Sequence, residues 1–239
     1  MNDQSTFKRI AVISTMAAGV MQLATGMFQM LAINFDFEVF ADPASLITVG
    51  VQAVQTLRWG LLLEIFGFFL LLVPAALYLW FWLRPQNPKL VSLYTVCGLA
   101  HLSIGAAAAA TRLGVFPKAI QAYSLASGAE QEMLAVGFQL FTDVYFGGLF
   151  VTETILLSIW LLGIGLEARH QRRGFGLYTS IVGIGYLLNV MTVMFTIEQL
   201  AAPLQAIFFL FPIWTIWLGI VIWRRGEQSE QMREAATAV

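Results

Sequence analysis

TLRWGLLLEIFGFFLLLVPAALYLWFWL, residues 56–83, is the stretch that decides the fold. Its 28 residues contain only two charged side chains, Arg58 and Glu64. An α-helix rises about 1.5 Å per residue, so roughly 20 apolar residues cross the hydrocarbon core of a bilayer, which is about 30 Å thick. The stretch is therefore predicted to be a transmembrane helix.

Similar apolar runs recur along the whole chain. Of its 239 residues, 59% are hydrophobic and 11% are charged, against about 25% charged in an ordinary soluble domain. The chain is therefore predicted to be an all-α, polytopic membrane bundle that forms a single domain over residues 1–239, with a short polar tail at 225–239. The predicted spans are residues 10–33, 56–83, 90–111, 142–166, 174–197 and 203–223.

The connections between these spans differ in length. The links 84–89, 167–173 and 198–202 are short, so the helices that they join are predicted to be antiparallel hairpins. The connections 34–55 and 112–141 are longer and both fall on the opposite side of the membrane. They are expected to form a small cap over the bundle.

Each long connection is predicted to contain a short amphipathic helix. These helices should begin near Pro43 and near Pro117, because proline is favoured in the first turn of a helix, where its missing N–H is not needed. Ser127 and Gly128 predict a turn, and Glu130 is predicted to begin a further helix that leads into the fourth span.

The distribution of Lys and Arg predicts the orientation. Ten basic residues fall on one side of a six-span arrangement and three fall on the other, which by the positive-inside rule predicts that both termini are cytoplasmic in a multi-pass protein of the cell membrane. The ten are Lys8, Arg9, Arg84, Lys89, Arg169, Arg172, Arg173, Arg224, Arg225 and Arg233, and the three are Arg58, Arg112 and Lys118.

Small residues suggest which helices lie at the centre. The third and fifth spans carry repeated small side chains, such as Gly98, Gly105, Gly176 and Gly183, which let helix backbones approach closely. These two spans are predicted to be central. The second and sixth spans, rich in Phe, Leu, Ile and Trp, are predicted to face lipid.

Four polar residues from four spans are predicted to lie at similar depth. Glu64, His101, Glu153 and Asn189 fall roughly 12 to 16 Å below the expected outer boundary. An ionisable group at that depth costs at least about 2.5 to 3.5 kcal/mol unless it finds a partner, so these side chains should face inward. Possible charge partners are Arg58 and Arg112, and the polar residues Gln22, Thr25 and Gln29 of the first span could join them.

Two interpretations of this polar layer remain open. As a site, Glu64, His101, Glu153 and Asn189 could contact a ligand or relay protons, and Glu64, His101 and Glu153 could instead hold a metal. As structure, the same groups could form an interhelical hydrogen-bond network that fixes helix register.

The sequence argues against several chemistries. A bis-His haem needs two facing intramembrane histidines, and the second histidine, His170, falls in a predicted cytoplasmic loop. Sequence motifs of zinc proteases, serine hydrolases and nucleotide-binding loops are absent. The net charge of −1 provides no overall positive field to attract nucleic acid. The expected partners are the lipid bilayer and, as an open alternative, other membrane subunits or a second copy.

The closing segment carries a family resemblance. FPIWTIWLG, residues 211–219, together with six spans and short arginine-bearing links, resembles a bacterial family of multi-pass membrane proteins catalogued as a domain of unknown function. The resemblance extends from about Lys8 to Arg225 and implies an inner-membrane protein. It implies no activity, cofactor or catalytic residue.

Three classes of function follow. The first is a non-enzymatic membrane protein, either free-standing or an accessory subunit of a membrane complex, which the absence of catalytic motifs favours. The second is a small-molecule carrier or channel that uses the intramembrane polar layer. The third is an intramembrane redox or metal-dependent enzyme subunit acting through His101 and the carboxylates.

Overall fold

The computed structural model describes residues 3–36, 39, 42–195 and 207–237, with side chains described for residues 5–36, 39, 42–195 and 207–225. Over these ranges the chain forms six long helices and no strand, which confirms the predicted all-α fold. Each helix is long and apolar enough to cross a membrane. The helices are α1 (Asp3–Ala32), α2 (Val51–Leu83), α3 (Pro88–Leu125), α4 (Ala129–Ala168), α5 (Arg173–Phe195) and α6 (Ile207–Thr237).

Some predictions fall on residues that lie outside the described ranges. These are the link 198–202, the span boundaries at residues 197 and 203, and the side chains of the tail from residue 226 onward.

Helix α2 changes its winding in the middle of the membrane. An α-helical segment ends at Glu64, a π-helical turn covers Ile65–Phe69, and a 3-10 turn covers Leu70–Leu72 before α-helix resumes at Val73. Pro74 explains the interruption, because its ring excludes the carbonyl four residues earlier and it has no N–H to donate. In lipid the rewound backbone needs another partner, and the Gln22 amide of α1 donates to the Gly67 carbonyl at 2.9 Å.

Contacts between helix ends bring the short links together at one end of the bundle. The indole N–H of Trp82, at the end of α2, donates to Gln171 in the α4–α5 link at 2.6 Å. The guanidinium of Arg225 lies 4.7 Å from the ring centroid of Trp82, and Phe7 of α1 packs edge-on against Phe81 at 5.8 Å. Most of the ten basic residues therefore share one end.

The first long connection forms a short helix at the predicted place. A 3-10 helix covers Pro43–Thr48, and the Asp42 carboxylate caps it by accepting from the Ala44 N–H at 3.2 Å. A second 3-10 turn, Val51–Ala53, forms the first turn of α2.

The prediction of a helix starting at Pro117 was wrong. Helix α3 continues through Pro117 to Leu125, a run of 38 residues that is about 57 Å long and projects beyond the hydrocarbon core. Pro117 costs α3 one hydrogen bond, and packing offsets that loss: Pro117 and Phe116 are buried, and the Phe116 ring meets Phe138 of α4 edge-on at 5.0 Å. The turn falls at the predicted place, where Gly128 adopts a φ of +57°, and α4 begins at Ala129.

The prediction that the sixth span faces lipid was wrong, because half of the most apolar stretch of α6 is buried. Helix α3, which was expected to be central, packs against both α2 and α4, and α5 is buried to the same extent as α4 over its most apolar stretch. Large side chains from α4 and α6, including Trp160, Phe211 and Trp214, are fully buried. A small residue makes a groove for a neighbour rather than filling space itself: at Gly98 of α3 an added Cβ would overlap the Trp160 indole.

Candidate functional site

A cavity of about 800 Å³, which we call the outer cavity, lies among the halves of the helices that the sequence predicts to be nearer the outside. All six helices line it, and the lining extends outward to Asp42 and Pro43 of the first long connection. One lining residue from each helix, in chain order, is Gln22, Glu64, His101, Glu153, Asn189 and Phe211. The cavity thus contains all four residues that the sequence suggested as ligand or proton-relay candidates.

An ion pair forms part of the wall of the cavity. Arg112 Nη2 of α3 pairs with Glu64 Oε1 of α2, and Gln29 Nε2 of α1 donates to the other carboxylate oxygen at 2.8 Å. The guanidinium carbon of Arg112 lies 5.1 Å from the centroid of the Tyr145 ring of α4. Of the two charge partners considered for Glu64, the structure brings Arg112 to it. No ion pair to Arg58 is found within the described ranges.

His101 lies deeper, at the middle of the bundle. Its Nδ1 is 3.1 Å from the main-chain carbonyl oxygen of Glu153, and its ring centroid is 5.6 Å from that of Phe69. A carbonyl can only accept, so the imidazole carries a proton on Nδ1. The bond therefore fixes the ring to the backbone of α4 and is not a pairing between the imidazole and the Glu153 carboxylate.

Three buried polar atoms on cavity residues have no hydrogen-bond partner among the described protein atoms. They are Arg112 Nε, Glu153 Oε2 and Gln22 Oε1. Leaving a buried donor or acceptor unpaired costs about 1 to 3 kcal/mol, and more for a charged group. Because all three belong to residues that line one cavity, a molecule in the cavity could satisfy them.

Asn189 and Tyr186 complete the polar wall on α5. Asn189 is 5% exposed and Tyr186 is 3% exposed, and both line the cavity. Sequence reasoning missed Tyr145 and Tyr186, because a tyrosine within an apolar span cannot be distinguished by pattern from one at the membrane interface. The sequence feature that could have identified them is their position: Tyr145 lies about two helical turns before Glu153, and Tyr186 lies about one turn before Asn189.

The two carboxylates lie next to irregular turns. Glu64 immediately precedes the π-helical turn of α2, and a second π-helical turn, Tyr145–Phe150, ends three residues before Glu153 in α4. A π turn inserts an extra residue, so it rotates the side chains on one side of it relative to those on the other, and such turns are frequent at functional sites.

The same geometry does not form a metal site. Over the described part of the chain, no three His, Cys, Asp or Glu side chains form a group that could hold a metal ion. Glu64 is instead paired with Arg112, and His101 bonds to a backbone carbonyl.

Six membrane-length helices around an internal cavity define an integral, multi-pass helical membrane protein that contacts the lipid bilayer. The family described as Domain of unknown function (DUF4386) has a sequence model that matches residues 16–223, so the chain belongs to this family. This match confirms the resemblance found from the sequence. Searches of curated proteins and of solved structures give no significant match.

Proposed function

We propose that the protein is a non-enzymatic membrane carrier that holds a small amphiphilic molecule in the outer cavity. The observation that carries the proposal is the cavity itself, whose volume of about 800 Å³ lies in the range of small-molecule sites, roughly 300 to 1,000 Å³. Between a free-standing protein and an accessory subunit, the cavity favours the first, because helices of one chain build the whole site.

The polar wall supports an uncharged, hydrogen-bonding head group. The Arg112 charge is already balanced by Glu64, so an anionic ligand would compete with an existing ion pair. The unpartnered atoms comprise one donor, Arg112 Nε, and two acceptors, Glu153 Oε2 and Gln22 Oε1. A hydroxyl or amide group, which both donates and accepts, suits this set.

The remaining walls support an apolar body. Phe68, Phe146 and Phe208 line the cavity, and aromatic rings dominate the lining of most sites for apolar ligands. Leu23 and Met27 of α1 also line it and are 52% and 56% exposed on the lipid-facing surface. A lipid-soluble ligand could therefore enter beside α1 from the bilayer.

We infer that the end carrying most of the basic residues faces the cytoplasm, so that the cavity opens toward the outside. The ten-to-three distribution of Lys and Arg supports this orientation. A bacterial inner membrane is the setting that the family resemblance implies.

A matched pair of glycine variants tests the proposal. Gly26 of α1 lines the cavity, and a Cβ there would meet no atom within 4 Å, so Gly26→Phe fills the cavity without a clash at the backbone. Gly114 of α3 is equally unhindered but exposed and outside the cavity, so Gly114→Phe is the control. The measurement is mass spectrometry of small molecules that copurify with the full chain in mild detergent.

The expected result is a copurifying amphiphile in the wild type and in Gly114→Phe. In Gly26→Phe its amount should fall by about fivefold or more, since overpacking a site costs about 1 to 3 kcal/mol. Retention of the same molecule by Gly26→Phe at wild-type level would contradict the proposal. So would a wild-type protein that retains nothing beyond detergent and bulk lipid.

A further inference from the structure

A second cavity, of about 360 Å³, lies at the opposite end of the bundle from the first. Its lining includes Arg172 from the α4–α5 link, Arg173 and Gly174 from the start of α5, and Trp217 and Arg224 from α6. We call this cavity the arginine cleft. The described residues that line it include three arginines and no Asp or Glu, so this described lining carries positive charge.

Tertiary contacts bring Arg172 and Arg173 of one arginine pair together with Arg224 of a second, distant pair, whose other member, Arg225, lies outside the lining. In the sequence, residues 172–173 and 224–225 are two separate pairs of the kind that commonly determine topology. Trp82 joins them, because its indole N–H donates to Gln171 and its ring lies beneath the Arg225 guanidinium. The result is a cluster of cations around a concave surface rather than a dispersed charge.

The first turn of α5 adds to the positive field. The helix begins at Arg173, and the first backbone bond back into the link runs from the Gly176 N–H to the Arg172 carbonyl at 2.9 Å. The N–H groups that precede it have no carbonyl partner within the helix and carry the positive end of the helix dipole. Backbone N–H groups and arginines together are the standard means by which proteins bind phosphate.

The other wall of the cleft is apolar. Phe175, Trp217, Ile220 and Val221 line it, and Trp is enriched where proteins meet the boundary between head groups and hydrocarbon. A phosphate with an attached apolar chain would therefore meet charge on one side and apolar side chains on the other. Basic pockets between transmembrane helices on the cytoplasmic side recognise lipid head groups in this way.

We propose that the arginine cleft binds the phosphate group of an anionic phosphate ester, with an anionic phospholipid of the inner leaflet as the expected source. The site is separate from the outer cavity and does not depend on the function proposed for it.

Native mass spectrometry of the delipidated full chain tests this proposal. The probes are short-chain phosphatidylglycerol, phosphatidylcholine with the same acyl chains, and glycerol phosphate. The cleft variant is Arg172→Gln/Arg173→Gln/Arg224→Gln. The control is Lys8→Gln/Arg9→Gln/Lys89→Gln, which removes the same charge from residues that do not line the cleft.

The expected result is that phosphatidylglycerol binds more tightly than phosphatidylcholine, and that the cleft variant weakens it on the order of 100-fold while the control variant changes it little. Glycerol phosphate binding as tightly as the lipid, with the same dependence on the cleft arginines, would support the site and identify the source as a soluble phosphate.

Equal weakening by the cleft and control variants would overturn the proposal, because net charge alone would then explain binding. Equal affinity for the two lipids would also overturn it. If the triple cleft variant does not fold, Arg224→Gln alone provides the test, with binding expected to fall roughly fivefold.

Discussion

At the scale of single residues, the pairing of Glu64 with Arg112 offsets the free-energy cost of placing either charge in the apolar part of the bundle. A charge placed alone in the apolar part of a bundle is destabilising by several kcal/mol, and a paired charge with additional hydrogen bonds is not. Here one carboxylate oxygen pairs with Arg112 and the other accepts from Gln29, so both oxygens are satisfied. The two side chains remain 14% and 13% exposed, so the pair lies at the wall of the cavity rather than in a sealed core.

Removing both partners should therefore cost less than the sum of the costs of removing each one alone. Glu64→Gln and Arg112→Gln are each expected to lower the free energy of unfolding by about 2 to 3 kcal/mol, less than the roughly 3 to 5 kcal/mol of a fully buried pair because of the partial exposure. The double variant should lose less than the sum, with a coupling of about 1 to 3 kcal/mol. Denaturant unfolding in mixed micelles measures all four proteins.

Arg84→Gln is the control for loss of one positive charge, since Arg84 is exposed and stacks on Trp80 at the end of α2. Its effect should be within about 1 kcal/mol. Strictly additive effects of the Glu64 and Arg112 substitutions would show that the ion pair does not stabilise the fold.

At the scale of elements, the missing side chain of a glycine on one helix leaves space that an aromatic ring of a neighbouring helix occupies. An added Cβ at Gly105 of α3 would overlap the Phe69 ring of α2, and the Phe69 ring in turn packs at a tilt of 60° against the His101 ring. Phe69 ends the π-helical turn and precedes the 3-10 turn, and its φ of −123° and ψ of −71° lie outside regular helix. The irregular backbone of α2 thus places the Phe69 ring in the groove that Gly105 leaves on α3.

This arrangement predicts opposite results for two alanine substitutions on the same helix. Gly105→Ala should lower the free energy of unfolding by about 1 to 3 kcal/mol, because the Phe69 ring must shift within a packed interior. Gly114→Ala should be neutral or stabilising by up to about 1 kcal/mol, because no atom lies within 4 Å of the added Cβ and alanine is the better helix former.

Thermal unfolding in detergent compares the two variants with the wild type. A Gly105→Ala protein as stable as Gly114→Ala would mean that the ring moves aside without cost, and that the glycine is not required by packing.

At the scale of the whole molecule, polar groups and positive charges occupy opposite ends. The short links and the end of α6 gather arginines at one end, while the other end holds the cavity and the α3–α4 hairpin that projects beyond the membrane. Positive charge resists translocation during insertion, so this asymmetry sets the orientation proposed above.

Cysteine labelling tests that orientation. In a Cys97→Ser background, Ser127→Cys in the exposed α3–α4 turn should react with a membrane-impermeant maleimide added to intact spheroplasts. Gln86→Cys in the exposed α2–α3 link should react only after the membrane is opened. The reverse pattern of labelling would place the termini outside and refute the orientation.

The sequence by itself determined the membrane class, the all-α fold and the number of spans, because these depend on the lengths of apolar runs and on a solvent that forces every backbone group to bond within a helix. It also identified Glu64, His101, Glu153 and Asn189 as candidates, because a polar residue that interrupts an apolar run can be recognised from the sequence alone. The preference of proline for the first turn of a helix predicted a helix start at Pro117, and this prediction was wrong. Helix α3 continues through Pro117, where Phe116 packs against Phe138 of α4.

Only the tertiary structure decided what those residues contact. Whether Glu64 meets Arg58 or Arg112 depends on the rotation of α2, which the π-helical turn after Glu64 and the packing of Phe69 on Gly105 both influence. The cavity and the arginine cleft likewise arise between helices that are distant in sequence. Hydropathy fixes where a helix crosses the membrane, but side-chain volumes on several helices together fix how it is rotated, and no single segment contains that information.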